Sequence, residues 1–360
     1  MAKTTIFKGD VMKGLRKMAD NSVDCIICSP PYWGLRDYGV KGQHGMEKSL
    51  ALHIEKMVAV FEECRRVLKT TGTLWLNYGD CYATSPNGRS AAATKAAGKD
   101  DRTFRDKPFS TIGAVDKRKR IKAAAIGATS GNLKPKDLCM MPNRLAIALQ
   151  NAGWWVRSEI IWAKPNAMPE SVRDRPATSH EKIFLLTKSP KYYYNAGGVR
   201  QNMPEIVADA TKGKTEKPRE IDSKKKQRGH GRRHDGFNDR WDKLPKAAQR
   251  ANGRALKNYE PAPVQVWEMA TASFKKAHFA TFPPELVERC IAAGCPPGGM
   301  VFDPYGGAGT TGMVASQMDR DCHLIELNAD YVKMAWQRIK DDAPLVNDVR
   351  VVNMQGEMFK

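Results

Sequence analysis

The stretch 301-VFDPYGGAGTTG-312 decides the fold. The apolar residues at its start read as a strand, and GMVASQM after it reads as a helix. Between them, Gly306, Gly307 and Gly309 let the backbone approach a ligand closely and adopt positive φ. The helix N-terminus that follows favours a negatively charged group such as a carboxylate. Fourteen residues after Gly312, the strand CHLIELN carries Glu326 near its end. In a wound sheet, an acid at the end of the second strand can grip two ribose hydroxyls. No GK[ST] follows the glycines, so this is not a phosphate loop. The simpler alternative is a tight strand–helix turn in an ordinary α/β protein. Asp303 before the loop and Glu326 after it favour an adenosine-containing cofactor.

Outward from the loop, strands and helices alternate. TTIFKGD is a short strand ending in Asp10, and VMKGLRKMAD has helical spacing at Val11, Leu15 and Met18. SVDCIIC is a buried strand. SLALHIEKMVAVFEECRRVLK is an amphipathic helix with Leu52, Met57, Val60, Phe61, Cys64 and Leu68 near a 3.6-residue period. Thr70–Gly72 is expected to end it before the strand TLWLNYG. Further on come the helix PNRLAIALQNAG stopped by Gly153, the strands WVRSEIIWAK and HEKIFLLTKS, and KSPKYYYN as the far side of a hairpin. PPELVERCIAAG and ADYVKMAWQRIK are helices. The pattern is that of a doubly wound α/β sheet.

The strand SVDCIIC stops abruptly at 28-CSPPYWGLRDYG-39. A hydroxyl, two rigid prolines and two aromatic rings thus stand at the mouth of a buried strand. Cys25 and Cys28 form a CxxC, but residues three apart on a strand face opposite sides, and no second CxxC completes a zinc site. The eight cysteines read as reduced and structural, as in a cytosolic protein.

The formal net charge is +20 over 360 residues, and 41% of them are hydrophobic. The distribution matters more than the total. Residues 84–136 hold 13 Lys/Arg against 4 Asp/Glu, and residues 211–260 hold 16 against 7. Each segment carries +9, which leaves the rest nearly neutral. A polyanion partner is the direct reading, and solvated basic loops without a specific partner are the bland one. No apolar run approaches the ~20 residues of a membrane helix, and MAKTTIFKGD has no apolar signal core. A soluble, cytoplasmic protein is expected.

SPPY at 29–32 together with FDPYGGAGTTG at 302–312 resembles the S-adenosylmethionine-dependent DNA amino-methyltransferases, which methylate the exocyclic amine of cytosine or adenine. The order, with SPPY first and the glycine loop last, is similar to their β-class arrangement. The resemblance implies a Rossmann-like class I methyltransferase sheet, circularly permuted. The catalytic domain would comprise residues 1–83, 137–195 and 261–360. Residues 84–136 would be a basic flexible insertion, and 196–260 a target-recognition region.

The resemblance also implies roles. Ser29 and Pro30 would accept the two hydrogens of the target amine, Pro30 and Pro31 would stiffen the turn, and Tyr32 would stack on a flipped base, with Trp33 helping to wall the pocket. Gly306, Gly307, Gly309, Tyr305 and Thr310 would line S-adenosylmethionine. Asp303, Thr281 and Phe282 would lie near its methionine end, Glu326 on the ribose, and Asp10 by the adenine ring. Tyr305 stands where the family usually has Phe. Double-stranded DNA would be held by Lys224, Lys225, Lys226, Arg228, Arg232, Arg233, Arg240 and Trp241. The resemblance leaves room for a homodimer and for a cognate restriction enzyme.

Serine at the first motif position points to the N4 amine of cytosine, with the N6 amine of adenine as the alternative. RNA or protein-glutamine methylation would sit better with Asn at that position, and a non-catalytic DNA-binding protein would not need both motifs intact. Carbon-5 cytosine methylation needs a Pro-Cys dipeptide, and the chain has only the reverse, Cys295-Pro296.

Overall fold

The computed structural model describes residues 2–35, 38–83, 133–134, 136–167, 169–199, 264–271, 282–343 and 348–353. Most of the 84–136 segment and residues 200–263 therefore lie outside the described residues. So do Thr281 and the eight residues expected to hold DNA, Lys224 through Trp241.

In chain order the elements are β1 (Lys3–Lys8), α1 (Val11–Leu15), β2 (Val23–Cys28), α2 (Leu50–Val67), β3 (Leu68–Tyr78) and α3 (Met141–Asn151). They continue with β4 (Trp155–Ala163), β5 (His180–Thr187), a 3-10 turn at Ala196–Val199, β6 (Val266–Glu268) and α4 (Pro284–Gly294). The chain closes with β7 (Met300–Asp303), α5 (Thr310–Gln317), β8 (Asp321–Glu326), α6 (Ala329–Asp342) and β9 (Asp348–Asn353). The strands form one sheet in the order β6-β4-β5-β3-β2-β7-β8-β1-β9. Every pairing is parallel except those of β5, which runs antiparallel to both β3 and β4.

Helices cover both faces. On one face α1, α2 and α3 pack through Leu15, Met57, Phe61 and Leu145. On the other, α4, α5 and α6 pack through Val287, Ile291, Val314 and Ile339. Strand β2 is buried along its whole length, as expected of a central parallel strand. Its CxxC is split between the two faces, with Cys28 in the first core and Cys25 in the second.

Helix α2 starts at Ser49, whose hydroxyl accepts from the Leu52 amide at 3.2 Å. Its buried face is His53, Met57, Val60, Phe61, Cys64 and Val67. Leu52 is 38% exposed, so the expected stripe is turned slightly and His53 takes the inward place. Leu68 already belongs to β3, and no turn separates helix from strand. Gly72 is therefore no stop. A Cβ there would lie 2.5 Å from Leu68 Cδ1 and 2.9 Å from the Asp24 carbonyl, beside an irregular β2–β3 register. Glycine is needed for that close approach.

KSPKYYYN does not form a hairpin strand. Tyr193 donates to the Thr71 carbonyl and Asn195 to the Ala293 carbonyl, which lead the chain across to the turn at Ala196–Val199. The edge strands β6 and β9 carry no signal that the sequence reading used. Among the described residues, no helix is long and apolar enough to cross a membrane.

From β2 the chain proceeds to β3 on one side, and from β7 to β8 on the other. The carboxyl ends of β2 and β7, adjacent and parallel, therefore flank the switch point of the sheet. In open α/β sheets ligands bind in the crevice at that place. SPPY leaves β2 and the glycine loop leaves β7 at this point.

Candidate active site

The glycine loop is shaped by backbone contacts. The Gly306 amide donates to the Ile325 carbonyl at 2.8 Å, and that of Gly309 to the Gly306 carbonyl at 2.9 Å. Gly307 and Gly309 have φ of +50° and +78°. A Cβ on Gly309 would sit 2.8 Å from the Ala335 Cβ, and one on Gly306 would sit 2.9 Å from the Leu324 Cβ. A Cβ on Gly307 would meet nothing nearer than the Tyr305 carbonyl at 3.8 Å, so the backbone there borders open space.

Two carboxylates brace the loop. Asp303 is buried, and its oxygens accept from the Tyr305 amide at 2.9 Å and the Thr311 hydroxyl at 2.7 Å. Burial pushes its carboxyl up to about 7, although those two bonds work to lower it. Glu326 accepts from the Gly307 amide at 2.8 Å and the Asn328 amide at 2.7 Å. Burial raises its carboxyl as well. The Leu327 amide is a third backbone donor to this carboxylate, which keeps acceptor capacity for a ribose hydroxyl. Asp10 caps α1 by accepting from the Lys13 amide at 3.0 Å, and the neighbouring Gly9 amide donates to the Glu326 carbonyl at 2.9 Å. Asp10 and Glu326 thus stand at the ends of paired strands. Thr310 opens α5, with its hydroxyl bound by Arg338 at 2.9 Å. Phe282 lies half-buried just before α4. Open backbone at Gly307 beside a diol-capable acid fits the adenosine cofactor that the resemblance implies.

The SPPY turn is shaped by side chains. The Ser29 hydroxyl donates to the Tyr32 phenol oxygen at 3.0 Å, and the Tyr32 hydroxyl donates to Glu181 at 2.8 Å. Asn77, at the end of β3, donates to the Tyr32 oxygen at 3.0 Å and to Glu181 at 2.9 Å. Lys164 pairs with the other Glu181 oxygen and lies 4.3 Å from the Trp162 ring centre. The Tyr32 ring leans on Tyr78 with centroids 4.7 Å apart, and Gly79 leaves room for its edge. Tyr78 is held by His53 at 2.7 Å, which is bound to Glu47 at 2.8 Å. Among the described residues, neither the Ser29 oxygen nor the Pro30 carbonyl accepts a hydrogen bond. Trp33 departs from expectation. It is buried in the core and donates from Nε1 to the Glu47 carbonyl at 3.1 Å, so it supports the turn from behind.

The two loops meet through the Tyr305 hydroxyl, 2.8 Å from His44 Nδ1. The hydroxyl that distinguishes Tyr305 from Phe thus has a partner on the segment after SPPY. Asn77, Lys164 and Glu181 escaped the sequence reading. Glu181 is the second residue of β5, and only the antiparallel register pairing Asn77 with Ile183 carries it to Tyr32. Among the described residues no His/Cys/Asp/Glu group could hold a metal ion.

A family model described as DNA methylase, of N6/N4 type, matches residues 23–337. The Type II methyltransferase M.Cfr9I of Citrobacter freundii is 40% identical over 94% of this chain and 88% of its own length. M.SmaI of Serratia marcescens is 38% identical over 93% and 90% respectively. Among solved structures, the PvuII DNA methyltransferase, described as cytosine-N4-specific, matches with a TM-score of 0.55 at 14% identity, over 99% of this chain and 94% of that one. TTHA0409 of Thermus thermophilus, complexed with S-adenosyl-L-methionine, matches at 0.52 with 18% identity, over 97% and 99%. At such identities the two structural matches establish a shared fold.

Proposed function

Because the chain belongs to the N6/N4 DNA methylase family, we propose that it methylates the exocyclic N4 amine of cytosine in duplex DNA, using S-adenosylmethionine, as the modification arm of a Type II restriction system in the cytoplasm. The observation that carries this reading is the pair of free acceptors at the end of β2, the Ser29 oxygen and the Pro30 carbonyl, beside the glycine loop.

A base amine is a poor nucleophile because its lone pair is delocalised into the ring. Two acceptors that take both amine hydrogens turn that lone pair out of conjugation and aim it. When bound, the cofactor supplies a sulfonium methyl that is already strongly electrophilic, so the protein's work is placement. Pro30 and Pro31 fix φ and keep both acceptors still. A flipped base is required, because the amine is out of reach inside the stack. The Tyr32 ring offers a face for it. Gly306, Gly307 and Gly309 give the cofactor close backbone approach, and Glu326 takes the ribose hydroxyls. Asp303, with both oxygens bound inside the loop, shapes the cradle.

DNA affinity would come from the two basic segments, with Lys224–Lys226 tracking phosphates and Arg228, Arg232 and Arg233 able to read guanine edges. Residues 196–260 would form the target-recognition region, and Trp241 could fill the gap left by the flipped base.

The N6 amine of adenine is the second reading, since it offers the same two hydrogens. Serine as the first acceptor is what favours cytosine. Nucleoside mass spectrometry of DNA from a host expressing the chain tests the choice. N4-methylcytosine, absent from an empty-vector host, is expected. N6-methyladenine would move the assignment to adenine, and neither product would overturn the reading.

A further inference from the structure

We propose that Glu181, acting through Tyr32, is a positioning residue that keeps the Ser29 oxygen an acceptor and takes up the proton the methylated amine must lose. This deepens the proposed function and rests on it.

Tyr32 has one hydroxyl proton and three polar neighbours: Ser29 at 3.0 Å, Asn77 at 3.0 Å and Glu181 at 2.8 Å. A carboxylate can only accept, so the phenol proton goes to Glu181. The Tyr32 oxygen must then accept from both Ser29 and Asn77. The Ser29 proton is therefore directed at Tyr32, and its lone pairs are left for the substrate amine. If Glu181 could not accept, the Tyr32 proton could turn to Ser29 and occupy the oxygen the reaction needs.

Asn77 is fixed in the same sense. With its amide turned over, a carbonyl oxygen would face the carboxylate. In the orientation adopted, Asn77 Oδ1 is buried and has no partner among the described residues, so one good bond is given up to keep the network's direction. Lys164 holds the far oxygen of Glu181.

The same chain can carry a proton outward. As the amine lone pair forms the new N–C bond, the methyl–sulfur bond breaks with its electrons left on sulfur. The amine nitrogen, now bearing one proton too many, releases it to the Ser29 oxygen. Ser29 passes its own proton to Tyr32, and Tyr32 passes its own to Glu181. Both hydroxyls are regenerated and the carboxylate ends protonated. Burial and the Glu181 charge push the Tyr32 phenol well above its ordinary range, so Tyr32 relays the proton without becoming an anion.

The test is single-turnover methylation of unmodified duplex DNA with tritiated S-adenosylmethionine, using the full chain. Glu181→Gln should slow the step about a hundredfold. Its melting temperature should fall only modestly, through the lost pairing with Lys164, and its affinities for the cofactor and for DNA should stay within about threefold of wild type. The double variant Glu181→Gln/Tyr32→Phe should be no slower than the slower single, because the two act as one unit. A Glu181→Gln rate within about threefold of wild type, or a loss traced wholly to weaker binding, overturns the proposal. If Glu181→Gln fails to fold, Tyr32→Phe under the same measurements decides, with the same expected loss. A wild type that transfers no methyl to DNA overturns the functional reading and the relay with it.

Discussion

Two loops leave the carboxyl ends of adjacent parallel strands, and they are built by opposite means. The glycine loop after β7 takes its shape from backbone, with two residues at positive φ and amides braced by Asp303 and Glu326. The SPPY turn after β2 takes its shape from side chains brought from elsewhere: Asn77 on β3, Glu181 on β5 and Tyr78 behind the Tyr32 ring. A backbone cradle recognises a fixed ligand shape and has little chemistry of its own. A hydroxyl–carboxylate network can direct lone pairs and move protons. The difference matches the proposed division between holding the cofactor and activating the amine.

The largest expected effect lies in the bracing of the glycine loop. Burial holds the Asp303 carboxyl near 7 in the folded chain, against an ordinary value of 3.8. The folded state therefore binds this proton more tightly than the unfolded one. The associated stability is fully present below the ordinary value and is lost as pH rises through about 7. The span is worth on the order of 4 kcal/mol. Denaturant midpoints across that range should show Asp303→Asn with a flatter slope than wild type. Equal slopes would mean that Asp303 is ionised and paid for in both states.

Next is Gly309→Ala, which combines left-handed backbone with a clash against Ala335. It should cost about 3 kcal/mol of unfolding free energy. Gly307→Ala, with open space around its Cβ, should cost only about 1 kcal/mol. Equal costs at the two positions would break the account of the loop as a packed cradle with one open side. The smallest effect belongs to the link between the loops. Tyr305→Phe removes the hydrogen bond to His44 and should lower stability by about 1 kcal/mol. No change in thermal melting would show that the two loops are held independently.

Much of the cofactor half was legible in the sequence, because glycines between a strand and a helix report a local backbone geometry. The place of Glu326, at the end of the next strand, follows from the same local logic. SPPY was legible as an anomaly, a hydroxyl and two prolines where a buried strand stops. Its partners were not, since Glu181 reaches Tyr32, and Lys164 reaches Glu181, only through the antiparallel placement of β5. The phase of α2 is not legible at Leu52 because His53, a polar residue buried by its bonds to Glu47 and Tyr78, breaks the apolar pattern. Gly72 is ambiguous in sequence for a related reason. A glycine that permits close packing inside a strand looks, in sequence, like one that ends an element. The short edge strands β6 and β9 have too few residues, or too mixed a pattern, to stand out from loops.

The division of labour is tested most directly by measuring cofactor affinity and single-turnover methylation side by side in Ser29→Ala and Glu326→Ala. Ser29→Ala should lose about a hundredfold or more in rate while binding S-adenosylmethionine as wild type does. Glu326→Ala should bind it about tenfold or more weakly and recover most of the rate at saturating cofactor. The reverse order, or both quantities falling together in both variants, would contradict the account.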